Sequence, residues 1–333
     1  MKNILITGGS GYVGTRLIFR LLQNTNVNLF NYDISFYGSD HLLKLKDKRL
    51  KNFFYDLRDL EKFKEIIVEN KIDVVLHLAC ISNDPTYDLN SSISKEINYD
   101  CFKHLVEISK KNGVKKFIYA SSCSVYGVSS TPNVKEDNPL VPITDYNKYK
   151  ALCEPELIDQ ADDDFHGIII RPATVCGFSE KMRFDLTVNI LTNFAYNKKF
   201  IKVFGGEQFR PNIHIDDMCE IYEKIILEDT KHINKQIFNA GIENLKVIEI
   251  AKKVKTIVEK KINEKIDIIV TPSNDIRSYQ INSDKIINLL PYKFKRNVDI
   301  AISDLVDKFH DKTLTDTFNE KWVNLSILKK KGY

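Results

Sequence analysis

The stretch Asn3-Ile4-Leu5-Ile6-Thr7-Gly8-Gly9-Ser10-Gly11-Tyr12-Val13-Gly14 decides the fold. Its first five residues form a short apolar run that predicts a buried strand. Beyond the glycines, apolar residues at 13, 17, 18, 21 and 22 have helical spacing and predict a helix over 12–23. Glycines at 8, 11 and 14, and equally at 9, 11 and 14, occupy the turn between strand and helix. Glycine there allows a tight turn, close approach of backbone to a pyrophosphate and close helix–strand packing. The helix start then offers amide donors and a partial positive charge to phosphate oxygens. A glycine string alone is weak; flanked by strand and helix it predicts a dinucleotide site.

Working outward, apolar runs at 27–31, 52–55, 74–77, 117–120 and 168–170 alternate with helical patterns at 60–70, 93–112 and 146–160. Such alternation predicts an α/β fold, a doubly wound (Rossmann) parallel sheet of about seven strands covered on both faces. The second half is less regular. Helices are expected over 186–198, 248–261 and 299–309, with strand-like runs at 237–239 and 266–270. No repeat or Gly/Ser linker divides the chain. A cofactor domain is expected from 1–173 and 212–240, and a smaller substrate domain from 174–211 and 241–333. Pro155, nine residues into the 146–160 helix, should kink it.

The composition excludes several classes. The 333 residues are 43% hydrophobic and 28% charged, which suits a sizeable core rather than a disordered chain or a disulfide miniprotein. Forty-nine basic against 45 acidic residues, net +4, make no field for nonspecific nucleic-acid binding. No run of 18 apolar residues suggests a membrane span. The N-terminal run is too short for a signal peptide, so the chance sequons at Asn90 and Asn324 are read as unmodified and a cytoplasmic location is expected. The six cysteines (80, 101, 123, 153, 176 and 219) contain no CxxC pair and are read as free thiols; no metal is expected.

Asp33 ends the second strand, 19 residues after Gly14. A carboxylate there accepts from ribose hydroxyls and repels a 2′-phosphate, favouring NAD over NADP. Asp56 and Leu57 follow the third strand and could face an adenine ring. Ser121, Ser122 and Ser124 run off the fifth strand, at the sheet end where ligands bind. Tyr146 and Lys150 stand four apart, on one face of a helix start. A free phenol, with a pKa of ~10, is a poor base at neutral pH. A neighbouring ammonium favours the phenolate, and each tenfold gain in ionisation is worth ~1.4 kcal/mol.

Taken in order, these residues resemble the extended short-chain dehydrogenases/reductases, specifically the NAD-dependent epimerase/dehydratase family acting on nucleotide sugars. The resemblance runs through the glycine turn, Asp33, Asp56-Leu57, His77-Leu78-Ala79, Asn98, the Ser121–Gly127 run, Tyr146…Lys150, Arg171-Pro172-Ala173-Thr174-Val175, and Phe204-Gly205-Gly206…Arg210…His214-Ile215-Asp216-Asp217. It implies NAD held by Gly8, Gly11, Tyr12, Val13, Gly14, Asp33, Asp56, Leu57, Leu78, Ala79, Asn98, Tyr146, Lys150 and Val175. It makes Tyr146 the acid/base, Lys150 the ribose holder and pKa modulator, and Ser122 the hydroxyl bridging sugar and phenol. Asn83, Ser124, Arg183, Asn189, Arg210 and Arg277 become the substrate contacts, with the fork of Arg210, and secondarily that of Arg277, matched to a diphosphate. It also implies a homodimer paired through the helices at 93–112 and 146–160.

Two departures refine the expectation. The family's 4,6-dehydratases carry an acidic pair directly after the catalytic hydroxyl; here those positions are Cys123 and Ser124, so dehydration lacks its general acid and base. The segment 182–189 departs from the common epimerase pattern and resembles a sugar-epimerase-like branch that includes nucleotide-heptose 4-dehydrogenases. Three readings follow: an NAD-dependent nucleotide-sugar 4-epimerase, a one-way 4-dehydrogenase or 4-ketoreductase, and a noncatalytic NAD sensor or scaffold. Intact Ser122, Tyr146 and Lys150 weigh against the last.

Overall fold

Strand β1 (Asn3–Thr7) is buried on both faces and lies inside a seven-stranded sheet. The computed structural model describes residues 1–129, 131–273 and 277–332. The other strands are β2 (Asn28–Tyr32), β3 (Leu50–Phe53), β4 (Val74–His77), β5 (Lys116–Ala120), β6 (His166–Pro172), β7 (Thr174–Cys176), β8 (Phe200–Phe204), β9 (Phe209–His214), β10 (Ile237–Ala240), β11 (Glu243–Lys246) and β12 (Asp267–Thr271). The sheet order is β10-β6-β5-β4-β1-β2-β3, and every pairing is parallel. This is the seven-stranded doubly wound sheet expected from the alternating pattern. β1 pairs with β2 on one side and β4 on the other, so the order reverses at β1 and opens a crevice at the carboxyl ends of these strands.

Helices cover both faces because each presents one apolar stripe. Helix Tyr12–Asn24 buries Leu17, Ile18 and Leu21 against one face. Helices Leu60–Glu69 and Phe102–Lys111 bury Phe63, Ile67, Leu105 and Val106 on the other. The helix expected at 93–112 is broken into three pieces: Ser91–Lys95, a π-helical turn at Glu96–Asp100, and Phe102–Lys111. Apolar periodicity does not report such a turn, which widens the backbone by one residue where Asn98 faces inward. The long helix Asp145–Gln160 continues past Pro155, which therefore does not end it.

The second half adds two small sheets, β11-β9-β7 and β12-β8. Strands β7, β8, β9 and β11 were not expected; they are three to six residues long and mix polar or charged with apolar side chains. Helices Thr187–Lys198, Val247–Ile262 and Val298–His310 enclose a separate apolar cluster containing Val188, Ile201, Val254 and Ile302. The final helix, Asn324–Lys330, returns to the large sheet and buries Leu328 in the cluster around Leu5 and Phe30. Among the described residues no helix is long and apolar enough to cross a membrane. Of the six thiols five are buried and Cys80 is partly exposed; all are free.

Candidate functional site

The glycine turn is built so that nothing larger fits. A Cβ on Gly14 would lie 2.5 Å from the Gly8 carbonyl oxygen and 2.6 Å from the Gly9 Cα. Gly8 has φ +74°, and a Cβ there would meet Ala79 backbone at 2.7 Å. The turn thus brings the end of β4 against the start of helix Tyr12–Asn24 and leaves a backbone-lined cradle there. Behind it, the Asp33 carboxylate accepts from the Ser35 amide at 2.7 Å and the Ser10 amide at 3.0 Å. Burial pushes its pKa up, and those two amides and the charge of Lys181 offset part of the rise.

The cleft above the turn is lined by Gly8, Gly11, Tyr12, Val13, Gly14, Asp33, Asp56, Leu57, Leu78, Ala79, Tyr146, Lys150 and Val175. These are the residues expected on the dinucleotide side, save one. Asn98 is buried behind the wall, where its amide accepts from the Ile81 N–H at 2.8 Å and donates to the Ile81 carbonyl at 3.0 Å. Its place is therefore to shape Ile81, which does line the cleft. The adenine-side candidate Asp56 is ion-paired with Arg58 at 2.8 Å. Residues that reach the same cleft without a local signal are Tyr37, Ser82, Lys181 and Asn324. They come from four separated segments, so spacing could not have joined them.

A second cleft adjoins the first. Asn83, Ser122, Ser124, Tyr146, Arg183, Arg210, Arg277 and Tyr279 line it. Tyr146 and Arg183 line both, so the phenol stands where the two spaces meet. Its helix begins at Asp145 because the Thr144 hydroxyl accepts from the Asn147 amide as an N-cap. The Thr144 hydroxyl also donates to Asp84 at 2.5 Å, tying the helix start to the loop after β4. Ser122 Oγ and Ser124 Oγ are 2.7 Å apart, and Ser124 Oγ donates to Asn147. Asn147 is buried one residue beyond the tyrosine.

Burial drives the Tyr146 pKa well above that of a free phenol, and Arg183 is the cation that most offsets this. The expectation that Lys150 does so is not carried by this geometry. Lys150 Nζ donates to the Ala120 carbonyl at 2.7 Å and lies 5.0 Å from the Tyr119 ring centre. Arg183 is gripped by Asp185 at 2.8 and 3.0 Å and donates to Ser82 at 3.1 Å. Asn83 donates to the same Asp185 at 2.8 Å. Asn83 has φ 69° and ψ 157°, a region that side chains other than glycine's rarely occupy, so this loop is held under strain beside the site.

On the far wall Arg210 donates to the Arg277 carbonyl, and Arg277 is ion-paired with Asp84. Asn189 is not part of this wall. It is fully buried, accepting from the Gly177 N–H at 3.0 Å and donating to the Tyr12 hydroxyl and the Arg183 carbonyl. Its amide therefore positions Tyr12 and Arg183 from behind.

Beneath the serines is a buried ion pair. Glu154 accepts from Arg171 at 2.6 and 2.9 Å and from Ser121 Oγ at 2.6 Å. The adjacent Cys123 thiol donates to the Arg171 carbonyl at 2.9 Å, and burial pushes its pKa far up. His77, which ends β4, is a core residue. Its ring meets Thr7 Oγ1 at 2.9 Å, and burial and then the Lys150 charge depress its pKa to about 3.

Comparison with known proteins is consistent with this architecture. The sequence model of the NAD dependent epimerase/dehydratase family matches residues 4–241. Over 272 residues the chain is 26% identical to the probable UDP-arabinose 4-epimerase 3 of Arabidopsis thaliana, covering 72% of this chain and 64% of that one. It therefore spans less than two thirds of that plant relative. It is 27% identical over 267 residues to the UDP-glucose 4-epimerase of Bacillus subtilis (strain 168), covering 72% of this chain and 76% of that one. The crystal structure of UDP-glucose 4-epimerase with UDP-glucose from Thermotoga maritima has the same fold, with TM-score 0.82 and 22% identity over 94% of this chain and all of that one.

Proposed function

The chain belongs to the NAD-dependent epimerase/dehydratase family, and we propose that within it this protein is a nucleotide-sugar 4-epimerase. The observation that carries the reading is the position of Tyr146, whose phenol borders both clefts. The glycine cradle and Asp33 suit a dinucleotide on one side, and the serines with Arg210 and Arg277 suit a sugar diphosphate on the other. NAD, when bound, supplies the hydride acceptor and donor for sugar C4. Tyr146 takes the proton of the C4 hydroxyl as that carbon is oxidised and returns it on reduction. Ser122 holds the same oxygen by a hydrogen bond, and Ser124 and Asn147 keep Ser122 in place. Burial favours the protonated phenol, so its conversion to a base depends on cations, of which Arg183 is in position.

Epimerisation is favoured over dehydration by what stands after the serine. Cys123 is a buried thiol bonded to a carbonyl, and Ser124 is an alcohol bonded to Asn147. Neither can protonate a leaving hydroxyl at neutral pH. Pairing of two copies through the helices Phe102–Lys111 and Asp145–Gln160 belongs to the same proposal.

The test is incubation with UDP-, GDP-, CDP- and dTDP-sugars while sugar configuration and NADH are followed together. Epimer without net NADH supports the proposal. Stoichiometric NADH assigns the one-way 4-dehydrogenase, and NAD binding without turnover assigns the sensor. Tyr146→Phe should cost ~10²–10⁴-fold in turnover with NAD binding retained; undiminished turnover would remove Tyr146 from the mechanism.

A further inference from the structure

Lys181 is a buried cation on the wall of the dinucleotide cleft that the mechanism leaves unused. It is 5% exposed and lines that cleft. Its segment is pinned over the glycine turn, because Ser179 Oγ donates to the Tyr12 carbonyl at 2.8 Å. An ammonium carries three donors. Among the described residues one hydrogen bond reaches this one, to the Lys321 carbonyl at 2.9 Å, and the Trp322 ring centre lies 5.7 Å away. No carboxylate among them forms an ion pair with it.

We propose that Lys181 meets the pyrophosphate of the dinucleotide, opposite the amides of the glycine turn. Two of its three donors have no hydrogen-bond acceptor among the described residues while it borders a cradle shaped for phosphate. The surrounding charges fit. Arg183 and Lys321 repel it, while Asp185 and Asp33 attract it without touching it. His41, also near, is neutral, because burial and then Lys181 itself lower its pKa to about 4. Burial, followed by Arg183, lowers the Lys181 pKa to about 8. A phosphate oxygen beside it would raise that value again, so binding should draw a proton from solution. The carbonyl and ring that hold Lys181 belong to the segment before the last helix, which places the end of the chain over the same site.

This inference rests on the dinucleotide reading of the cleft, and one set of titrations separates the two. The full chain, stripped of copurified nucleotide, is titrated calorimetrically with NAD, ADP-ribose and adenosine, at pH 8.0 and 6.5, in two buffers of different ionisation enthalpy. Wild type should take up about half a proton per NAD or ADP-ribose at pH 8 and close to none at pH 6.5. Lys181→Met should bind both about 10- to 100-fold more weakly, bind adenosine unchanged and take up no proton through this group. Lys181→Gln, which keeps a donor for the Lys321 carbonyl, should behave like Lys181→Met; Lys181→Arg should keep affinity within a few fold without the uptake. Equal affinity and uptake in wild type and Lys181→Met would overturn the proposal, and so would equal loss of adenosine, which marks a merely structural role. Absence of NAD binding by wild type would overturn the dinucleotide reading as well.

Discussion

Replacing Arg171 by methionine tests whether the pair beneath the serines is structural support for the site. Arg171 and Glu154 are each 3% exposed in their side chains. The guanidinium makes both ends of a fork to Glu154 and also donates to the Tyr126 hydroxyl at 2.7 Å and the Glu136 carbonyl at 3.1 Å. Methionine has similar length and no donor. The change leaves a carboxylate buried with only Ser121 to hold it, and removing one member of such a pair costs ~3–5 kcal/mol. The unfolding entropy of ~2.1 cal/mol/K per residue over 333 residues makes ~0.7 kcal/mol/K. Tm should therefore fall by ~4–7 °C. Arg171→Met with Glu154→Leu should recover part of that loss, because no unpaired charge remains. Both are read by differential scanning calorimetry of the ligand-free protein. A single variant melting within ~1 °C of wild type, or a double variant as unstable as the sum of its parts, would refute the reasoning.

Three further outcomes are expected. Gly14→Ala should abolish NAD binding and destabilise the fold by ~1–3 kcal/mol, since its methyl would press on backbone atoms that cannot rotate away; NAD titration with a melting curve checks both. Asp33→Ala should erode the preference for NAD over NADP, measured as the ratio of the two dissociation constants, and an unchanged ratio would remove the ribose assignment. Lys116 donates to the Ile225 and Glu228 carbonyls at the end of helix Ile215–Leu227, and burial, then Lys2, lower its pKa to about 7. The unfolded chain therefore holds this proton where the folded one does not. Stability relative to Lys116→Met should rise with pH from about 7 to about 10, and parallel pH profiles for the two proteins would exclude the effect.

Legibility followed distance along the chain. Strands Asn3–Thr7 and Val74–His77 were readable to the residue because each is an unbroken apolar run in a doubly covered sheet. Strands β7, β8, β9 and β11 were not, because short strands in small sheets carry too few side chains to set a period. The glycine turn, Asp33 and the Tyr146–Lys150 helix start are local features, and local spacing found them. Asn189 and Asn98 belong to the expected neighbourhood, yet both are turned inward and spent on backbone groups. Lys181 and Asn324 gave no signal because a lone polar residue on a distant segment has no pattern.

By itself, then, the sequence determined the class of fold, the cradle at the start of the first helix and the identity of the family. The first two follow from forces acting within about a dozen residues: apolar periodicity, the steric freedom of glycine, and i,i+4 spacing on a helix; the family rests on the resemblance of motifs spread along the chain. The tertiary structure decided which side of each wall a polar side chain faces. It set Arg183 rather than Lys150 as the cation most strongly felt by Tyr146, and it folded the last helix back to place Asn324 and the Lys321 carbonyl beside the cleft. Those outcomes depend on burial and on charges brought together from segments far apart in the chain, where desolvation and Coulomb energy have no counterpart in local spacing.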